Sequence, residues 1–142
     1  MENIKISELS IGDWVRYEFP EIGKKSIQVN SIDEEDNHIG AGGVGASAWS
    51  DVSDFEPIPL TPEILEKNGW LPPRKAIALD TWWWTNGVDK AIEAYEYEGE
   101  WYLTIIEQKE IQYRNRVGIG LKYVHQLQHA LRLAGVGKEI EL

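Results

Sequence analysis

Cysteine is absent from the 142-residue chain, which excludes disulfides, thiolate nucleophiles and thiolate metal sites. Basic residues are scarce: 14 Lys and Arg stand against 24 Asp and Glu, a formal charge of −10. That sign opposes nucleic-acid binding, which draws its affinity from Lys and Arg neutralising phosphates. The acidic residues are scattered rather than gathered in a tail, so they read as a solvated surface more readily than as a DNA mimic. No stretch approaches the roughly 20 apolar residues of a membrane span, and Met1-Glu2-Asn3-Ile4-Lys5 lacks the apolar run of a signal peptide. A cytoplasmic location, with no membrane partner, is the expectation. Also missing are a G-x-S-x-G nucleophile elbow and a Walker-type Gly-Lys-Ser/Thr, so no catalytic residue and no cofactor are expected.

What the chain has in abundance is aromatic surface, with seven tryptophans and six tyrosines. Such side chains build cores and also serve as flat binding platforms, so their direction decides their role. The pattern predicts an α+β protein in three stretches. Residues 1–56 read as a small SH3-like β-barrel part: a Gly12-Asp13 corner feeds a strand through Trp14 and Tyr17, and Ile27, Val29 and Ile32 mark a second strand. The charged turn 33–37 then leads to a return strand at His38-Ile39. Gly40 to Gly45 spells G-x-G-x-x-G, but no helical period follows it, so it is expected to be a loop rather than a dinucleotide site.

Residues 57–74 form a linker with a short helix, since Pro57 and Pro59 enforce extended geometry. Thr61 is its N-cap, Pro62 its first residue, and Gly69 its left-handed C′ position, with Trp70 closing a Schellman motif against Leu65. Residues 75–142 read as an antiparallel sheet plus a helix and a closing strand. Two-residue turns at Asn86-Gly87 and Glu98-Gly99 would pair Thr85 with Val88 and Tyr97 with Glu100. That register puts Ile77, Leu79, Trp83, Ile92, Ala94, Trp101, Leu103 and Ile105 on a core face. The opposite face then carries Trp82, Trp84, Tyr95, Tyr97 and Tyr102, with Asp80, Glu93 and Thr104 among them. A fourth strand through Ile111 and Tyr113, a helix over 122–134 that buries Leu127 and Leu131, and a closing strand over 138–142 complete the expectation.

The runs Glu8-Leu9-Ser10-Ile11-Gly12-Asp13-Trp14-Val15, Glu56-Pro57-Ile58-Pro59-Leu60-Thr61-Pro62, continuing to Gly69, and Lys122-Tyr123-Val124-His125-Gln126-Leu127-Gln128-His129-Ala130-Leu131 resemble a family of small uncharacterised proteins of gut-bacterial genomes, prophages and phages. The resemblance covers the first strand, the linker helix and the C-terminal helix, and stops short of the glycine run and of residues 72–117. It implies a phage or mobile-element origin in a bacterial host cell, and no activity.

Two histidines, His125 and His129, stand at i and i+4 on the last helix, the spacing of the H-E-x-x-H zinc motif. A metal-dependent hydrolase using this pair is the alternative function. Against it, Gln126 occupies the place of the general-base glutamate, and both histidines fall on the helix's polar side, so solvated or inter-domain histidines and no metal are expected. The favoured reading is a non-catalytic binding protein that sequesters a protein or a small planar ligand through Trp82, Trp84, Tyr95, Tyr97 and Tyr102, provided the barrel part does not cover that face. Pure protein should leave duplex DNA unshifted in an electrophoretic assay at physiological salt. A salt-sensitive shift would contradict this reading of the charge.

Overall fold

Alternating apolar residues in the first third of the chain become a five-stranded antiparallel sheet. The structure, a computed structural model, describes residues 3–43, 45–73, 81–87, 89–108 and 112–142, with side chains at all of these except 107, 108 and 112–119. Antiparallel β-structure dominates, one sheet curls into a half-barrel, and a C-terminal helix makes the class α+β. No helix among the described residues is long and apolar enough to cross a membrane. The chain divides into two compact units, one of Met1–Pro59 with Tyr123–Gln128 and the other of Leu60–Lys122 with His129–Leu142.

In the first unit, β1 (Trp14–Phe19), β2 (Gly23–Asp33), β3 (His38–Gly43), β4 (Ala46–Asp51) and β5 (Phe55–Glu56) lie in the order β4-β3-β2-β1-β5. A 3-10 turn, Val52–Asp54, joins β4 to β5 and is capped by the Asp51 side chain, which accepts from the Ser53 amide at 2.9 Å. That hydrogen bond holds the Asp51 carboxyl below its usual pKa. The Gly12-Asp13 corner forms as expected, with Asp13 fully buried and accepting from the Ser10 amide at 2.8 Å. Ile27, Val29 and Ile32 break the alternation by one residue, and the register shift between Val29 and Ser31 supplies the reason: a bulge at Asn30. Ile27, Val29, Ile39, Val15 and Phe55 are buried in one apolar cluster, against which Ile32 packs.

The glycine run is not a loop. Gly40 to Gly43 lie within β3, and only Gly45, at φ +77°, belongs with the turn. Gly40 pairs with Trp49 across the hairpin, and a Cβ there would collide with the side chains of Ser31 and Asn30 and press on the Trp49 ring. The glycine therefore admits its neighbours' side chains onto the strand, a role unrelated to a phosphate loop.

In the second unit, α1 (Pro62–Lys67) ends as its sequence requires. Gly69 has φ +84°, the Trp70 amide donates to the Leu65 carbonyl at 3.0 Å, and the Gly69 amide donates to Glu66 at 3.1 Å. These two bonds define a Schellman motif. Asn68, buried at the C-cap, does more than its sequence position suggested. Its amide nitrogen donates to Ile64 and to Glu141, both at 2.8 Å, and its oxygen accepts from the Glu141 amide at 2.7 Å. The tail expected to close the sheet as a strand instead forms no strand and is bonded to this side chain, with Ile140 buried.

Strands β6 (Thr81–Thr85), β7 (Lys90–Tyr97), β8 (Glu100–Gln108) and β9 (Gln112–Leu121) form the expected antiparallel meander, in the order β6-β7-β8-β9. The expected positions of Ile77, Leu79, Asp80, Val88 and Ile111, and of the Tyr113 side chain, lie outside the described residues. Tyr97 pairs with Glu100 across the Glu98-Gly99 turn, as expected; both turn residues have positive φ, +51° and +80°. The first hairpin departs from expectation. Thr85 pairs with Ala91, three residues beyond a two-residue turn, because the Asn86 side-chain oxygen accepts from the amides of Asp89 and Lys90, both at 3.1 Å, and organises a longer loop.

An odd shift exchanges the faces of a strand. Trp82 and Trp84 now stand with Ala94 and Ile92 on the core face, and Trp83 stands with Tyr95, Tyr97 and Tyr102 on the other. Ile92, Ala94, Trp101 and Leu103 are buried, whereas all three consecutive tryptophans are half-buried.

Helix α2 (Val124–Leu133) buries Val124, Leu127 and Leu131, as its period demands. It too closes with a Schellman pattern, the Val136 amide donating to Leu131 and the Gly135 amide to Arg132, both at 3.0 Å. From β7, Lys90 Nζ donates to the last carbonyls of Ala134 and Gly135 at 2.8 and 3.0 Å.

Two outcomes check this arrangement. Gly69→Val should lower stability by about 1 kcal/mol or more, because a β-branched residue resists the left-handed conformation. Trp101→Ala should cost about 3 to 5 kcal/mol in a denaturant titration. Trp83→Ala should cost clearly less, and equal losses would contradict the register.

Candidate functional site

The five residues expected to share a platform are divided between two faces by the Asn86 loop. Tyr95, Tyr97 and Tyr102 remain together, with Tyr95 and Tyr102 stacked at 5.5 Å between ring centroids and Tyr97 exposed. Trp83 joins them, and Leu71 pairs with it in an isolated bridge on the free side of β6. The Tyr102 hydroxyl donates to Glu100 at 3.1 Å, and this bond to a carboxylate raises the tyrosine's pKa. Glu100 lies over Gly120, whose missing Cβ makes the room, and Lys122 stands 3.9 Å from the same carboxylate.

Trp82 and Trp84 face the core side and meet different surroundings there. Lys138 reaches from the tail to within 5.9 Å of the Trp84 ring centroid, and its ammonium also donates to the Asn68 carbonyl. Trp82 instead lines an open groove of about 420 Å³ with Pro62, Pro73, Glu96, Glu98 and Trp101. Register explains the company: Trp82 pairs with Ala94, and Glu96 pairs with Trp101 one pleat along the same face. Pro62 comes from the first turn of α1, whose N-cap Thr61 accepts from the Ile64 amide at 3.4 Å. Trp101 is fixed in orientation, because its buried indole nitrogen donates to the Leu60 carbonyl at 3.2 Å. The groove therefore has one anchored indole, one half-buried indole, two proline rings and two exposed carboxylates. Glu96 and Glu98 were not singled out in the sequence, since nothing short of the register aims them at Trp82.

Of the two histidines, His125 departs from the expected place on the helix's polar side. His125 is not solvated but 1 % exposed, with Glu8 3.6 Å away and the Tyr123 ring stacked at 5.9 Å. His129 is half-buried. A single apolar stripe fails to describe α2 because its first turns bury Val124, His125, Leu127 and Gln128 together. The Gln126 side chain accepts from the Tyr123 amide at 3.1 Å, the backward half of a capping box, which gives it a role in starting the helix. A small cavity of about 70 Å³ beside His125 is lined also by Asn3, Ile4, Glu8, Pro57 and Tyr123. Among the described residues, no group of three or more His, Asp or Glu side chains is placed to hold a metal ion.

No protein-family model, curated protein or solved structure matched the chain.

Proposed function

We propose that this is a non-catalytic binding protein of phage or mobile-element type, which takes a small molecule or a partner's side chain into the groove between Trp82 and Trp101. One observation carries the reading. The groove's volume of about 420 Å³ falls in the range of about 300–1,000 Å³ usual for small-ligand sites, and its walls combine flat apolar rings with two glutamates. Trp101, held by Leu60, is pre-organised, so it loses little freedom when a ligand arrives. The stacked tyrosine face is a second aromatic surface, on which Tyr97 is exposed.

Origin and the SH3-like description of the first unit have separate support. The sequence runs at 8–15, 56–69 and 122–131 support the mobile-element reading by resemblance alone. The strand order β4-β3-β2-β1-β5, with a 3-10 turn before the last strand, supports an SH3-like description of the first unit. Neither names a ligand. A role in sequestering a host component fits a gene of this type and a protein with an open groove.

Nuclear magnetic resonance tests the site directly, since each indole N–H gives a resolved signal. The signals of Trp82 and Trp101 can be assigned by Trp82→Phe and Trp101→Phe. In a screen of small organic fragments, binders should shift these two signals and leave exposed Trp49 unmoved. Binders that move only Trp83 would place the site on the tyrosine face and overturn the groove.

A further inference from the structure

Building on the groove reading, we propose that the groove receives an alkylated ammonium head group, with half-buried Trp82 supplying the ring surface, buried Trp101 backing it, and Glu96 and Glu98 supplying the counter-charge. The six lining residues among those described include two glutamates and no cation. An anion would meet these carboxylates and the field of a chain of net charge −10, and a neutral ligand would leave them without use. A positive ligand satisfies both halves of the lining, because the face of an indole is itself electron-rich and attracts cations.

The same sheet face already holds one such contact. Lys138 Nζ lies 5.9 Å from the centroid of Trp84, two residues along β6 from Trp82. Glu98 adds a second indication. It occupies the first central position of a turn with φ +51°, a position that asparagine or glycine fills more comfortably. A glutamate stands there all the same, and Glu98 lines the groove.

Alkylation of the cation follows from the rest of the lining. A bare ammonium is compact and strongly hydrated, and proline rings and indole faces cannot replace its water. Methyl groups can contact those rings while the charge, spread over them, is met by the two exposed carboxylates. The shared chemistry is a trimethylammonium group, either free, as in choline, or at the end of a trimethylated lysine.

Titration calorimetry with choline chloride and with its uncharged isostere, 3,3-dimethylbutan-1-ol, tests the charge. Choline should bind at least ten-fold more tightly, with an affinity that falls as salt rises. In the Glu96→Gln, Glu98→Gln double variant that preference should drop at least five-fold. Glu98→Asn should keep or raise the melting temperature while weakening choline, because asparagine suits the turn better and carries no charge. A peptide bearing trimethyllysine distinguishes the sources: stronger binding than choline assigns the site to a protein partner, and equal binding assigns it to a free head group. If the alcohol binds as tightly as choline, or if neutral fragments shift the Trp82 indole signal and neither cation does, cation recognition is overturned while the groove stands. If nothing shifts Trp82, both readings fall.

Discussion

The side-chain amide of Asn86 decides which way three consecutive tryptophans point. By accepting from the amides of Asp89 and Lys90, it replaces a two-residue turn with a longer loop, which the Thr85 hydroxyl reinforces by donating to the Lys90 carbonyl at 3.0 Å. The pairing of β6 moves by three residues, and because a strand's side chains repeat every two, the move turns each residue to the other face. Trp82 becomes a wall of the groove as a result. Trp83 becomes an outward neighbour of Tyr95, and Trp84 becomes the ring beneath Lys138.

Asn68 plays a comparable part in the second unit. A buried carboxamide with three short bonds, to Ile64 and to both backbone groups of Glu141, gives the C-terminal tail the pairing that a neighbouring strand would otherwise provide. The tail needs no place in the sheet, and it still buries Val136 and Ile140 and carries Lys138 to Trp84. In the first unit, the glycines of β3 act through what they lack: Gly40 leaves room for Asn30, Ser31 and Trp49 above the strand. Polar side chains and missing side chains thus set geometry that apolar patterning alone left open.

Local chemistry was legible in the sequence wherever the deciding contacts lie within a few residues. The Thr61 cap, the Gly69 and Gly135 terminations, the Glu98-Gly99 turn and the Asp13 corner all depend on bonds spanning five residues or fewer. Each can be read from residue type and spacing. The bulge between Val29 and Ser31, in a strand read from sequence as alternating, was seen only once its partner strand was known.

What only the tertiary structure decided was how these pieces face one another. The sequence determined a chain without cysteine, acidic overall, built of antiparallel strands with a C-terminal helix and rich in tryptophan. It did not determine the face of Trp82, the burial of His125 beside Glu8, or the meeting of Glu96 and Glu98 with Trp101 and Pro62, because those depend on register and on side-chain bonds at long sequence separation. A period-2 pattern states that neighbours alternate. It cannot state which of two faces is which until a turn fixes the count, and here a single asparagine fixed it differently from the commonest turn.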